Sequence, residues 1–201
     1  MKDNLTKTLT LLTCTLLCTT LFAQQKDTFT DPRDKKMYKT VKIGEQVWLA
    51  ENLNYAIEGS KCYKDSTAYC SKYGRLYNWE TAKTACCKGW HLPSKAEWEV
   101  LVAAAGGEKI AGKYLKATNG WNDHDGISGN GIDTYRFSFL PGGAGSFFSN
   151  NFTHLGIYGL WWSSSDSSNY AYSRSINHLY DNVHWLYSDK RRLYSVRCLK
   201  D

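Results

Sequence analysis

Three sets of residues in this chain carry chemistry: cysteines, a run of hard oxygen ligands, and a surplus of aromatic rings. Of seven cysteines, Cys14 and Cys18 fall in an apolar N-terminal stretch; the others are Cys62, Cys70, Cys86, Cys87 and Cys198. In an oxidising compartment such cysteines form disulfides, and an odd number leaves one thiol over. Cys62 and Cys70 bracket a short polar loop and can staple it locally. Cys198, close to the C-terminus, needs a distant partner, Cys86 or Cys87. A zinc site would use paired C-x-x-C spacing, which is absent. The oxygen ligands are Asn122, Asp123, Asp125, Asn130 and Asp133, in a glycine-rich loop. Calcium takes roughly six to eight oxygens from a chain flexible enough to wrap it, so calcium is the cofactor to consider. The order does not match an EF-hand, because Gly126 follows Asp125 directly. The plainer reading is a set of Asx turns.

The aromatic surplus gives the best functional hint. The chain holds 14 Tyr and 8 Trp, and Trp121, Trp161, Trp162, Tyr180, Trp185 and Tyr187 cluster in its later part. Sugar rings stack their C–H faces on aromatics, while Asn, Asp and Arg hydrogen-bond hydroxyls. The candidate ligand-binding set is therefore Trp121, Asn122, Trp161, Trp162, Tyr180 and Trp185. Strand alternation sends half such rings inward. Trp48, Trp79, Trp90 and Trp98 are expected in the core, and of the adjacent Trp161 and Trp162, one faces in and one out. Trp121, Tyr180 and one other ring are left as the exposed candidates. Catalytic signals are thin. Ser163 to Asp166 offers hydroxyls and a carboxylate but no nucleophile elbow. His91 sits at a helix entry, where it caps or packs. The remaining histidines show no triad spacing.

These residues need elements to hold them. Thr40 to Leu49 reads as two short strands around Gly44. A two-residue loop would pair Val41 with Trp48, and a three-residue loop Val41 with Leu49; both bury apolar pairs. A helix over roughly Trp79 to Cys86 puts Trp79, Ala82 and Cys86 on one face. That turns Cys86 toward the core and Cys87 away from that face, so the predicted bridges are Cys62–Cys70 and Cys86–Cys198, with Cys87 free. The clearest helix begins at Ser94, where Glu97 three residues on makes a capping box. Trp98, Leu101, Val102 and Ala105 form its apolar stripe, and Gly106-Gly107 stops it. A shorter helix covers Lys109 to Lys116. Strands follow at Phe137–Phe139, Gly159–Ser165, Ala171–Asn177, Val183–Tyr187 and Tyr194–Leu199. Early helices and late short strands predict an α+β domain with a mostly antiparallel sheet and long Gly/Asn/aromatic loops.

The ends bound the compartment. Lys2 and Lys7 precede a short uncharged Leu/Thr-rich stretch ending in Leu21-Phe22-Ala23, which reads as a cleaved signal peptide over residues 1–23. Cys14 and Cys18 lack the small residues a lipoprotein signal places before its cysteine. Residues 24–36 read as a polar tether and 37–201 as the domain. The net charge of +6 is mild and scattered, which excludes a nucleic-acid footprint. No later stretch is long and apolar enough to cross a membrane.

Several motifs in fixed order point to a family: VKIGEQVWLAENL (Val41–Leu53), YGRLY (Tyr73–Tyr77), CCKGWHLPSKAEWE (Cys86–Glu99), FSFLPGG (Phe137–Gly143), WSSS (Trp162–Ser165) and SVRCLK (Ser195–Lys200). Together they resemble the Fibrobacter succinogenes major paralogous domain, from about Asp34 to Asp201. The family usually has Pro where this chain has Cys87, which supports Cys86 as the bridging position. The resemblance implies an extracytoplasmic, cysteine-bridged domain related to the C-type lectin-like fold and its formylglycine-generating-enzyme branch. It implies no established activity, and a scaffold is not a function. Oxidase chemistry of that branch needs a reactive cysteine pair near the C-terminal end, where only Cys198 lies. The function expected is a non-catalytic, extracytoplasmic binding module for glycans. A structural or protein-interaction domain taking a cell-surface protein partner is the second reading, and a formylglycine-generating-type enzyme the third.

Overall fold

The computed structural model describes residues 28–201. The expected signal segment over residues 1–23 lies outside them. Strand β1 (Thr28–Thr30) pairs antiparallel with β2 (Met37–Ile43), so the segment expected as a tether belongs to the fold from Thr28 onward. The cause is a local ion pair. Asp31 is fully buried and accepts from Arg33 Nε at 2.9 Å and Nη2 at 2.7 Å. Arg33 also donates to the Ala85 carbonyl at 2.8 Å and lies 3.7 Å over the Tyr55 ring. A polar segment is thus tied down by contacts that its composition does not reveal.

β2 turns through Gly44 and Glu45 into β3 (Gln46–Leu49). Val41 pairs with Trp48 and Ile43 with Gln46, so the loop has two residues, and Gly44 takes the positive φ of 59° that such turns require. β4 (Ser60–Lys61), α1 (Thr67–Tyr73), β5 (Leu76–Tyr77), α2 (Trp79–Ala85) and β6 (Trp90–His91) follow. α3 (Lys95–Ala104) carries the expected capping box between Ser94 and Glu97, and Trp98, Leu101, Val102 and Ala105 are all buried. α4 (Ala111–Leu115) is shorter than the sequence suggests. The later chain forms β7 (Ala144–Ser146), β8 (Phe152–Thr153), β9 (Tyr158–Ser167), β10 (Tyr170–Asn177), β11 (His184–Asp189), β12 (Arg192–Ser195) and β13 (Leu199–Lys200). The strand expected at Phe137–Phe139 is a loop with one bridge, Lys116 to Phe139.

The architecture is mixed α+β with mostly antiparallel pairing. One sheet runs β1-β2-β3-β13-β6 and a larger one β11-β10-β9-β12-β5-β4, with β7 and β8 attached to β12. The only parallel pairing between these strands joins β12 to β9 at Ser195 and Trp161. The expected last strand over Tyr194–Leu199 is broken. β12 lies in the large sheet and β13 in the small one, and the chain crosses between them at residues 196–198.

Arg197 occupies that crossing. It is fully buried, and its guanidinium donates to Asn52 Oδ1 (2.8 and 3.2 Å) and to the carbonyls of Phe137 (2.6 Å), Leu49 (3.2 Å) and Ser138 (3.3 Å). Burial pulls its pKa down to about 9, against the opposing charges of Glu51 and Asp133, so it remains charged at neutral pH.

Two apolar cores flank β9. Trp162 packs in the one that includes Trp79, Tyr77 and Tyr194; Trp161 packs in the one that includes Trp48, Trp98 and Phe139. Both Trp161 and Trp162 are fully buried, which corrects the expectation that one faces out. Alternation sends them to opposite faces as expected, but both faces of this strand are covered. Each indole N–H finds an acceptor: Asn52 Oδ1 for Trp161 (2.8 Å) and the Tyr77 carbonyl for Trp162 (2.7 Å). The bridges are Cys62–Cys70 and Cys86–Cys198, with Cys87 free and buried. The helix stops at Ala85, however, and Cys86 is its extended C-cap (φ −68°, ψ 141°). The pairing holds although Cys86 is not itself on a helical face.

Candidate functional site

The outer leaf β9-β10-β11 carries a concave groove of about 670 Å³ on one face. Register defines that face. Leu160 pairs with Ser175, which pairs with His184; Ser173 pairs with Leu186; Tyr158 pairs with Asn177. Directly paired residues share a face, so Tyr158, Leu160, Ser175, Asn177, His184 and Leu186 point the same way. β12 adds Arg192 and Tyr194, and the β7–β8 hairpin adds Ala144, Thr153 and the following His154. Tyr180 reaches in from the β10–β11 loop. Its volume lies within the range of small-molecule sites, roughly 300–1,000 Å³.

The loop that presents Tyr180 is held at several points. Asn177 Oδ1 accepts from the backbone N–H of Leu179 (2.8 Å) and Tyr180 (3.2 Å), an Asx turn encoded by the asparagine itself. Lys116, nearly fully buried, donates to the Tyr180 carbonyl at 3.3 Å and lies 3.8 Å from Asp181. Burial lowers the Lys116 pKa, with Asp181 opposing. Tyr180 itself remains 59% exposed, so a fixed backbone offers a free ring. At the opposite side Tyr194 is nearly buried, its ring tilted against Trp162 with 4.5 Å between centroids. Burial raises its pKa, and a hydrogen bond to Ser188 partly offsets this.

Of the residues predicted to bind ligand, Tyr180 and Trp185 are among those lining this groove, although the strand register turns the Trp185 ring away from it. Trp185 is paired with Arg174, on the leaf's other face, where the guanidinium carbon sits 3.7 Å from its ring centroid. Arg174 is buried and bonds Glu108 at 3.1 Å; its Nε and Nη2, and Trp185 Nε1, have no partner among the described residues. Trp121 is buried rather than exposed, because its N–H donates to the Phe139 carbonyl at 2.9 Å and its ring joins the Trp48 core. Trp161 and Trp162, as described, are core. Asn122 is a buttress. Its N–H donates to the Gly156 carbonyl at 2.8 Å, and a Cβ on Gly156, whose φ is 77°, would lie 2.3 Å from Asn122 Oδ1.

Two of the predicted calcium ligands, Asn130 and Asp133, hold local backbone. Asp133 accepts from Ser138 N (2.8 Å) and Oγ (2.7 Å), and Asn130 Oδ1 accepts from Trp121 N (3.0 Å). Asp125 lies beside His124 at 3.3 Å. Among the described residues, no three His, Cys, Asp or Glu side chains come together as a metal site. Two of the three hydroxyls in Ser163–Asp166 are engaged with backbone: Ser163 Oγ accepts from Ser165 N (3.1 Å) and Ser165 Oγ from Lys95 N (2.9 Å). Both ring nitrogens of His91 are taken by carboxylates, Asp201 at 2.6 Å and Glu97 at 3.0 Å.

Tyr158, His184, Leu186, Arg192 and Tyr194 were not legible as site residues. Each sits in a segment that reads as strand or turn, and only the pairing register shows which share the groove.

No curated protein matches the chain, and no solved structure does. The family model described as Fibrobacter succinogenes major domain matches residues 41–200. That span runs from the second half of β2 through Arg197, Cys198 and β13, so the match leaves out β1 but includes every strand that forms the groove. The chain belongs to the Fibrobacter succinogenes major domain family.

Proposed function

We propose that this chain is a non-catalytic binding module that works outside the cytoplasm and takes a saccharide in the groove on β9-β10-β11. The carrying observation is the groove itself: a preformed concavity bordered by Tyr158, Tyr180, Tyr194 and Leu186 beside the polar groups of Ser175, Asn177 and His184. Rings supply stacking faces for sugar C–H groups, and the amide, hydroxyl and imidazole groups suit their hydroxyls. The α+β architecture with late loops and strands agrees with the C-type lectin-like scaffold that the sequence motifs imply. Two disulfides, and the absence among the described residues of a helix long and apolar enough to cross a membrane, are compatible with work in an oxidising compartment. A glycan array followed by titration of hits tests the reading. Tyr180→Ala, at an exposed ring on a braced loop, should weaken binding at least tenfold with melting unchanged. An array with no hits, or a hit indifferent to Tyr180→Ala and Tyr158→Ala, would overturn it.

A second reading has its own observation. On the other face of the edge hairpin, Tyr170 and Tyr187 stack with centroids 5.5 Å apart, and Tyr172 meets Tyr187 at 5.0 Å. Tyr170 and Tyr187 are about half exposed, at 46% and 49%. Such a strip beside an edge strand suits a protein partner. Loss of binding with Tyr187→Ala, and not with Tyr180→Ala, would favour it.

A further inference from the structure

The polar groups of the groove are unevenly charged. Arg192, His154 and His184 border it, and none of its lining residues is Asp or Glu. Arg192 is exposed and forms no side-chain hydrogen bond or ion pair among the described residues. The carboxylate of Asp189, whose charge it feels, is engaged by Arg191, with Nε on Oδ1 at 2.9 Å. Arg191 thus neutralises the local acid and leaves Arg192 unspent beside the aromatic rings. The preceding residue is also taken, since Lys190 pairs with Asp166 and donates to the Ser168 carbonyl at 2.7 Å. A neutral sugar presents hydroxyls, for which carboxylate acceptors are a strong match; this groove offers none. It offers a free guanidinium and two imidazoles, which match an anionic oxygen group through charge-assisted hydrogen bonds, about twice as strong as neutral ones.

We infer that the groove selects saccharides bearing an anionic group, a uronate carboxylate or a sulfate ester, with Arg192 meeting the anion while Tyr180 and Tyr158 meet the ring. This rests on the saccharide reading above and adds the class of sugar. His154 and His184 contribute donors whether neutral or charged.

The test uses the full chain and two matched pairs of polymers: polygalacturonate against its methyl ester, and dextran sulfate against dextran. Affinity electrophoresis and titration calorimetry are run at about 0.15 M salt, where exposed charges more than about 8 Å apart are largely screened. The charged member of at least one pair should bind at least tenfold more tightly than its neutral partner, which equals about 1.4 kcal/mol. The pair that shows the difference identifies carboxylate or sulfate. Arg192→Gln should remove that preference and leave melting unchanged, while Tyr180→Ala should weaken binding of the charged polymer as well. Equal binding of charged and neutral members overturns the anionic inference and leaves the saccharide reading standing. A preference that survives Arg192→Gln also overturns it, because general positive charge would then be the cause. If neither member of either pair binds, and the glycan array is also empty, both readings fall together.

Discussion

Deleting the two disulfides should destabilise the domain unequally. Cys86–Cys198 spans 112 residues and Cys62–Cys70 only 8. If a crosslink acts by restricting the unfolded chain, its contribution grows with the logarithm of the loop. The long bridge then contributes about 4.8 kcal/mol and the short one about 2.5 kcal/mol at 25 °C. Their difference, about 2.3 kcal/mol, depends only on the ratio of loop lengths and is the sharper quantity. The comparison needs a Cys87→Ala background, because the Cys87 thiol could exchange with whichever bridge remains. Its buried thiol is poorly ionised, its pKa being raised by burial and by Asp31, with Arg33 opposing, but unfolding exposes it. On that background, Cys86→Ala/Cys198→Ala and Cys62→Ala/Cys70→Ala are unfolded in urea under oxidising conditions. Free energies, not midpoints, are compared, since an uncrosslinked chain expands and its m-value rises. Equal losses within about 0.5 kcal/mol, or a larger loss from the short bridge, would refute the unfolded-state account and place the stabilisation in native contacts.

Two further outcomes follow from buried charge. Arg197→Met should cost roughly 3–5 kcal/mol, because it strips a donor from Asn52 Oδ1 and from the Phe137, Leu49 and Ser138 carbonyls, and Arg197→Lys should recover little, since one ammonium cannot reproduce the fork; thermal melting within about 2 °C of the parent would contradict this. Partial burial alone would lower the His91 pKa, but hydrogen bonds to Asp201 and Glu97 outweigh it and the net shift is upward from 6.5. Glu97, raised by partial burial but lowered more by Ser94 and His91, ends below 4.5. The histidine contribution is therefore complete below pH 6.5 and fades as pH rises through the raised pKa; the carboxylate contribution is complete above pH 4.5 and fades as pH falls through the lowered one. Both are at full strength between those limits. NMR titration of the His91 ring should give a pKa above 6.5 that drops on Asp201→Asn, and a pKa at or below that value in the parent would remove the argument.

How much of this was legible depends on the range over which each residue acts. The capping box of α3 is a four-residue pattern, and it was readable because Ser94 and Glu97 satisfy backbone groups within their own helix turn. The disulfides were readable because a covalent bond between few cysteines leaves few pairings. The N-terminal segment was misread because Asp31 and Arg33 look solvated in sequence; the Ala85 carbonyl and Tyr55 ring that fix them are distant in the chain. The broken last strand was missed because nothing around Val196 marks a change of sheet. Its cause is that Val196 O and Cys198 O accept from Leu53 N (2.9 Å) and Leu49 N (3.0 Å), contacts to the far end of the chain.

The groove shows the limit most clearly. Period-two alternation assigns a side to each residue but not what covers that side. Trp161 and Trp162 point opposite ways, and both are buried because a core lies on each face of β9. One leaf further out the same rule gives a different result. Leu186 and Tyr187 are adjacent and both exposed, yet Leu186 pairs with Ser173 over the groove and Tyr187 pairs with Tyr172 on the other face. Tyr180, by contrast, is exposed as its place in a polar late loop leads one to expect, and the turn that presents it is led by Asn177 within the same loop. Arg192 could not be found from sequence, because its freedom depends on Asp189 being claimed by Arg191 two residues on. The anionic selectivity proposed for this groove thus rests on which of two adjacent arginines the local carboxylate takes.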